Sequence, residues 1–399
     1  MKRITFVLAA MLAAGFAHAQ NNTSTLNQSG DGNDANVTQT GRENEAHGTQ
    51  AGDGNRLTQT QDGRYNLSRS SQTGDDNRTT QTQTGRYNEA RSTQSGDDNR
   101  STQTQSGLYH DARITSTGDG NRSEQTQTGL SNKATGTQMG DDNRITQTQG
   151  LIGGNEATAR QMGDRNRATQ TQMGNLNQAT IVQGDGTPLD GDNTATQYQT
   201  GSLNKASARQ IGARSTSIQE QLQAVGDEAI VIQEGGNDNY ARQSQRRVSE
   251  GNSLNLARIQ QVGNRNRAEQ DQIGDRNVSR ALQAGSDNRS AQTIGIFGSD
   301  DNVALVEQTG NRNRATQTII NDDNRQQIDQ EGNDNRATQY TAGFRNTASV
   351  DQDGNDHRAM QTQVGNDNSA KVWQGASGQN SVIEQYGNGN TANVHQDHP

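Results

Sequence analysis

The chain has 399 residues, 26% of them apolar and 3% aromatic, with 45 Gly, 2 Pro and no Cys. That apolar share is far below the globular norm and, taken alone, is the composition of a disordered chain. The formal net charge is -9, with no basic patch, zinc spacing or aromatic platform, which excludes nucleic-acid binding, and without cysteine nothing depends on the redox compartment.

Residues 1–19 read as a secretory signal: Lys2-Arg3 is the charged start, Ile4 to Phe16 the apolar run, and Ala17-His18-Ala19 the cleavage site before Gln20. No other apolar run approaches the length of a membrane helix. Beyond it, Gly30, Gly41, Gly52, Gly63, Gly74, Gly85, Gly96, Gly107, Gly118, Gly129 and Gly140 stand eleven residues apart. Asn follows each three residues later, with His110 the one exception. A fixed short period is the signature of a stacked array and outweighs the disordered reading.

The turns alternate. Those at 52, 74, 96, 118 and 140 read Gly-Asp-(Gly/Asp)-Asn; those at 63, 85, 107 and 129 read Gly-(Arg/Leu)-(Tyr/Ser)-(Asn/His). One closed unit is therefore twenty-two residues of strand, turn, strand, turn. The predicted fold class is all-β: a β-solenoid of strand-turn-strand rungs with cross-β stacking. Regular Gly and abundant Asn, Ser and Thr leave no helical stripe in the mature chain.

Side chains alternate along a strand. With Asn as position 0, one face carries Asn at 0, a small or aliphatic residue at +2, a variable residue at +4 and Gln at +6; the other carries Arg, Thr, Glu and Ser. The first face is taken as interior, together with Leu57, Ile114, Ile145 and Val306. Gln at +4 of Asp-turn units would face Ala or Ser at +2 of the others, filling a thin core evenly. Buried amides need partners, and identical amides stacked about 4.8 Å apart supply one another in ladders. The candidate ladder residues are Asn33, Gln39, Asn88, Gln94, Asn99, Gln105, Asn132, Gln138, Asn266, Gln272 and Asn313. The period also predicts columns of Tyr65, Tyr87 and Tyr109, of Arg56, Arg78 and Arg100, and of the Asp75/76, Asp97/98 and Asp141/142 turns. Like charges so stacked repel, partly offset by Arg78 and Arg100 beside the Asp turns, so assembly should be slowest near neutral pH at low salt.

In chain order, 20–211 is a regular solenoid, with one extra residue at Gly150–Gly153 and a five-residue insertion at Gly184–Leu189, where Pro188 must loop out. Residues 212–254 are irregular rungs or a hinge: Ser215 takes an Asn position, and Ala229–Ile232 is the most apolar stretch of the mature chain. Residues 255–399 return to the period, with an insertion at Ile296-Phe297 and a looser end around Trp373, Asn380 and Asn390. About thirty-three half-units can be drawn from Asn22 onward.

An enzyme is not expected. The mature histidines His47, His110, His357, His395 and His398 have no partner constellation, and the carboxylates are turn residues. No cofactor or metal is expected either: calcium-binding nonapeptide arrays use Gly-Gly-x-Gly-x-Asp, which is absent. His110 and His357 occupy Asn positions and read as substitutions within a ladder. A stacked β-structure ends in open edges, and no cap is visible beside Asn22, while His395–Pro399 forms at most a partial one. Such an end is a template for a further copy, and a heterologous contact of that kind builds filaments. Two alternatives compete: an extracellular adhesin shaft, and ice binding by outward Thr pairs at 58/60, 80/82, 102/104 and 146/148, which Glu124 interrupts.

The pattern Asn-x-Ala-x-x-x-Gln-x-Gly-x-x-Asn resembles the curlin repeat of curli, the secreted functional amyloid of bacterial biofilms. It stands at Asn88-Ala90-Gln94-Gly96-Asn99, Asn132-Ala134-Gln138-Gly140-Asn143 and Asn266-Ala268-Gln272-Gly274-Asn277, and the resemblance extends over 22–396. It implies a secreted, cell-surface fibre subunit or nucleator that polymerises with itself and serves adhesion and aggregation. It also implies a related subunit or nucleator as partner, an outer-membrane export channel and periplasmic chaperones. The matching Asn and Gln would form the ladders. The chain departs from the family in having many more rungs and in placing Gln at many +4 sites.

Overall fold

A computed structural model describes residues 21–186, 190–247, 253–295 and 299–397. The secretory segment, Pro188, Ile296-Phe297 and His398 lie outside the described residues. Among those described, every regular element is a strand, thirty-three in all. The chain divides into two compact units, Met1–Asp192 and Asn193–Pro399.

In the first unit, each strand pairs in parallel with the strand two places along the chain. Arg78–Arg86 lies between Arg56–Arg64 and Arg100–Leu108, with Arg78 in register with Arg56 and Arg100. Leu67–Thr73 lies likewise between Glu45–Ala51 and Glu89–Ser95. Strands that follow Asp turns thus form one parallel sheet and the intervening strands another, with one strand of each per rung. This is a parallel β-solenoid, and the ladder bonds of the first unit span 22 or 23 residues. The extra residue at Gly150–Gly153 is absorbed as a bulge within Arg144–Gly153.

The second unit follows the same plan from Thr194–Ser202 to Thr391–Gln396. The described residues of 212–254 include strands paired like the rest. Thr216–Val225 joins Thr194–Ser202 to Tyr240–Arg246, and Glu228–Glu234 joins Lys205–Gln210 to Leu256–Val262. The rungs there lengthen, with ladder partners 24 and 28 residues apart. One added residue is absorbed within Thr216–Val225, where the register shifts between Gln199 and Gly201 of the preceding rung.

The alternation of burial places Asn, the +2, +4 and +6 residues inside. Leu57, Ile114 and Ile145 are buried, as is Val306. Ser68 at +2 donates its hydroxyl to Gln81 at +4 of the facing strand at 2.7 Å, so long amides do lie against small residues. One column departs from the repeat: the residue stacked after Gln272 is Ile294, and the next is Ile319, which cluster with Ala304. An aliphatic pocket replaces the glutamine ladder over those rungs.

The turns explain the glycine. Gly63 has φ 131°, and a Cβ there would lie 1.9 Å from the carbonyl oxygen of Gly85 on the next rung. The position needs both the left-handed conformation and the missing side chain. Two residues later a left-handed residue precedes Asn, as Tyr65 (φ 59°) or Asp76 (φ 53°).

Candidate functional site: amide ladders and turn edges

Turn Asn side chains grip the next rung through both amide atoms. Asn33 accepts the backbone N–H of Asn55 at 3.0 Å and donates its amide to the carbonyl of Gly52 at 2.7 Å. Asn99 repeats this with Asn121 (3.0 Å) and Gly118 (2.7 Å), Asn266 with Asn288 (3.1 Å) and Gly285 (2.8 Å), and Asn313 with Asn335 (3.0 Å) and Gly332 (2.8 Å). Asn88 accepts from the His110 N–H at 3.1 Å and donates to Gly107 at 3.1 Å. Asn132 accepts from Asn155 at 3.0 Å, but its amide turns back to Thr128 at 2.8 Å, beside the bulged turn.

The glutamines form one-way chains. Gln39 donates Nε2 to Gln61 Oε1 at 2.8 Å, Gln105 to Gln127 at 2.9 Å, and Gln138 to Gln161 at 3.2 Å. The second amide hydrogen goes to a backbone carbonyl, as from Gln105 to Glu89 at 2.8 Å. Two candidates stand at breaks. Gln94 accepts from Gln72 at 3.0 Å, but the next residue in its column is Ser116. Gln272 accepts from Gln245 at 3.0 Å and precedes Ile294. A third chain, the buried +4 glutamines of the Asp-turn strands, runs from Gln59 to Gln81 and Gln103. Paired in this way, most buried amides meet their hydrogen-bonding requirement inside a thin core, while the Oε1 atoms of Gln59 and Gln363, each at the head of a ladder segment, and of Gln326 accept nothing among the described residues.

The imidazoles reproduce the asparagine pattern. His110 Nδ1 accepts the Asn132 N–H at 3.2 Å, and Nε2 faces the Ser106 carbonyl at 3.3 Å. Burial lowers its pKa, keeping the ring neutral as that pattern requires. His357 has the same arrangement with Gln379 and Asp353.

Three features escape sequence reasoning. Asp227 stands in an Asn column, where its carboxylate accepts the N–H of Asn255 at 2.8 Å, and burial pushes its pKa up to about 6. The Asp turns are more than stacked like charges: Asp75 accepts the N–H of Asp53, and Asp97 that of Asp75, both at 2.8 Å. Arg78 and Arg100 form no ion pair with those turns among the described residues; backbone donors do the offsetting that was expected of them. The later turns carry cross-rung ion pairs, in which Arg265 grips Asp287 at 2.8 Å and Arg312 grips Asp334 at 2.6–2.8 Å. The twenty-two-residue rung could have revealed that alternation.

The tyrosine column stands as the period predicts: Tyr65 and Tyr87 stack at 4.8 Å between ring centroids, and Tyr87 and Tyr109 at 5.0 Å. The Thr pairs also stand in register, Thr80 and Thr82 beside Thr58 and Thr60 on one side and Thr102 and Thr104 on the other.

Among known families, the curlin associated repeat matches residues 30–63, 74–107, 343–375 and 365–397, segments in both units. No curated protein matches the chain. Proteins built from this repeat are structural and non-catalytic, in keeping with a core spent on rung-to-rung amide bonds. The chain thus carries segments similar to the curlin associated repeat in each of its two units.

Proposed function

We propose that the chain is a subunit or nucleator of an extracellular, curli-like amyloid fibre in a bacterial biofilm matrix, adding head to tail to copies of itself and serving adhesion and aggregation. The observation that carries this reading is the polarity of the ladders at the outermost described rungs. At one end, Gln28 and Gln39 donate to Gln50 and Gln61, and their own Oε1 atoms accept nothing among the described residues. At the other, Gln385 and Gln396 donate to the Ser369 and Asn380 carbonyls, and each keeps a second amide hydrogen with no ladder partner. Inward residues of these rungs, Leu26 and Val37 at one end and Val394 at the other, remain half-buried. A second copy placing its Gln28 and Gln39 over Gln396 and Gln385 continues both ladders in the same sense and covers those apolar residues.

Ladder roles for Asn33, Gln39, Asn88, Asn99, Gln105, Asn132, Gln138, Asn266 and Asn313 belong to this reading, with Gln94 and Gln272 closing their segments. The likeness to the curlin associated repeat supports secretion through the 1–19 leader, an outer-membrane channel with periplasmic chaperones, and a related subunit or nucleator as partner. The test is thioflavin-T growth of freshly desalted chain 20–399, with and without fragments of its own product. A lag phase abolished by the fragments is expected; a β-rich chain that never elongates overturns the proposal. The in-register Thr columns favour one rival, ice binding by a non-growing stack. Thermal hysteresis in the absence of fibres would put that reading in its place.

A further inference from the structure

The chain has no cysteine, so no disulfide ties one rung to the next. It has 7 tyrosines, and Tyr65, Tyr87 and Tyr109 fall into one column at a turn edge of the first unit. Their rings stack with centroids 4.8 and 5.0 Å apart and planes within 1° of parallel. Their backbone N–H groups bond to the carbonyls of Arg42, Arg64 and Arg86 on the preceding rungs, all at 3.1 Å, so the array itself sets the ring spacing. Outside this column no tyrosine stacks on another among the described residues. Tyr240 lies between Thr216 and Arg267, Tyr340 between Thr318 and Thr362, and Tyr386 beside Val364.

The backbone does not ask for tyrosine here. The three have φ 59°, 57° and 60°, and the rungs on either side place Glu43 and Ser131 in the same left-handed conformation at 55° and 54°. A bulky side chain is the costlier occupant of that region. The column buries little in return, because its rings are 43%, 45% and 56% exposed. The ring faces cover one another, while the hydroxyls and the carbons ortho to them border solvent. At the head of the column Glu43 accepts a hydrogen bond from the Tyr65 hydroxyl, so a carboxylate stands where a phenol proton leaves.

We propose that the Tyr65–Tyr87–Tyr109 column is a site of oxidative tyrosine coupling, in which a haem peroxidase and hydrogen peroxide join adjacent rungs through a dityrosine bond. Each of two neighbouring phenols loses one electron and one proton to become a phenoxyl radical. The radicals join by one C–C bond between carbons ortho to the hydroxyls, and each of those carbons passes its hydrogen to oxygen, restoring the phenol. The two electrons and two protons released reduce one peroxide to two waters. Stacking holds the second ring beside the first, which makes coupling within the column faster than an encounter between free side chains. The joined residues are 22 apart, so each bond closes one full rung. Coupling requires the folded stack and not its axial growth.

The experiment treats chain 20–399, shown to be β-rich by circular dichroism, with a haem peroxidase and hydrogen peroxide. Dityrosine fluorescence reads the yield, and mass spectrometry of the digest reads which tyrosines are joined. Peptides linking Tyr65 to Tyr87 or Tyr87 to Tyr109 are expected to dominate. Tyr87→Phe keeps a ring in the column but removes the phenol common to both pairs, and should lower the yield several-fold. Tyr386→Phe is the control, because Tyr386 is 67% exposed with no ring beside it, and coupling governed by exposure alone would favour it. That variant should couple like the parent. Joined peptides drawn mainly from Tyr198, Tyr240, Tyr340 and Tyr386 would overturn the proposal. So would a Tyr87→Phe chain that couples like the parent, or no dityrosine while free tyrosine in the same solution couples.

Discussion

In the first unit the inward +4 column of the strands after the Arg/Leu turns is interrupted by small residues, running Gly48, Ser70 and Ser92 before Ile114 and Gly136 before Ala159 and Ile181; in the second it runs unbroken through Val306, Ile328, Val350 and Val372. The second set packs with Ala315, Ala337 and Ala359 into a continuous aliphatic core. The turns differ in parallel. The Asp turns at 53, 75, 97 and 119 are tied to the next rung by carboxylate-to-backbone bonds, whereas the later turns, from Arg165–Asp192 onward, couple Arg to Asp one rung on. One backbone plan thus tolerates two kinds of filling. Where the core is small and polar, order rests on amide ladders and turn geometry. Where it is aliphatic, burial adds a term of about 25 cal/mol per Å².

The largest expected effect tests what both units share. Gly85→Ala would put a Cβ 2.0 Å from the Gly107 carbonyl oxygen at φ 114°. A loss of about 3 kcal/mol or more is expected locally, seen as new protease cleavage around residues 80–110. A protease pattern unchanged from the parent would show that the turns have slack that the geometry denies them.

The comparison itself is sharpened by Ile328→Ala against Ser92→Ala. The first leaves a cavity in the aliphatic column and should cost about 2–5 kcal/mol. The second removes a hydroxyl in weak contact with Thr79 at 3.4 Å and should cost under about 1 kcal/mol. Hydrogen exchange resolved by segment measures both, and equal losses would mean that the two cores are energetically alike.

Next are the ladders. Asn99→Ala strips the Asn121 N–H and the Gly118 carbonyl of partners, at about 1–3 kcal/mol. Gln94→Ala removes the acceptor for Gln72 and Thr79. Both should slow growth well beyond the effect of exposed Thr93→Ala, expected within about 0.5 kcal/mol. Equal rates for all three would sink the assignment of inward and outward faces.

The smallest effect is confined to the second unit. Asp227 has its pKa pushed up to about 6 by burial, and Asp329 likewise by burial and by the stacked Glu307 and Asp351. A native pKa above the unfolded value of about 3.8 means that the native state binds more protons between those limits. Stability therefore rises as pH falls from 7 through 6 towards 4. Asp227→Asn, which installs the ladder residue, should raise stability at pH 7 and flatten the profile. Unit-resolved exchange at pH 7 and pH 5 checks it, and a second unit less protected at pH 5 would contradict the sign.

Much of this was legible because the period is strict. An invariant spacing fixes register, register fixes which side chains stack, and alternation fixes the face; Tyr65–Tyr87–Tyr109, the Asn ladders and buried Leu57, Ile114 and Ile145 follow from that alone. The rest depended on where insertions put the rungs. Arg165 meets Asp192 twenty-seven residues on, and Asp227 meets Asn255 twenty-eight on, so counting in twenty-twos does not pair them. The aspartate-to-backbone bonds were hidden for another reason. The composition of a turn gives its charge, but only the left-handed geometry aims a carboxylate at the N–H of the preceding rung.

The central claim is that the rung-to-rung amide ladder continues from one chain into the next. Fibre diffraction on aligned product of chain 20–399 tests it most directly. A sharp meridional reflection near 4.7–4.8 Å is predicted, lost together with growth when Gln28, Gln39, Gln385 and Gln396 are replaced by Ala. Fibres that keep the reflection and the growth rate without those four amides would contradict it.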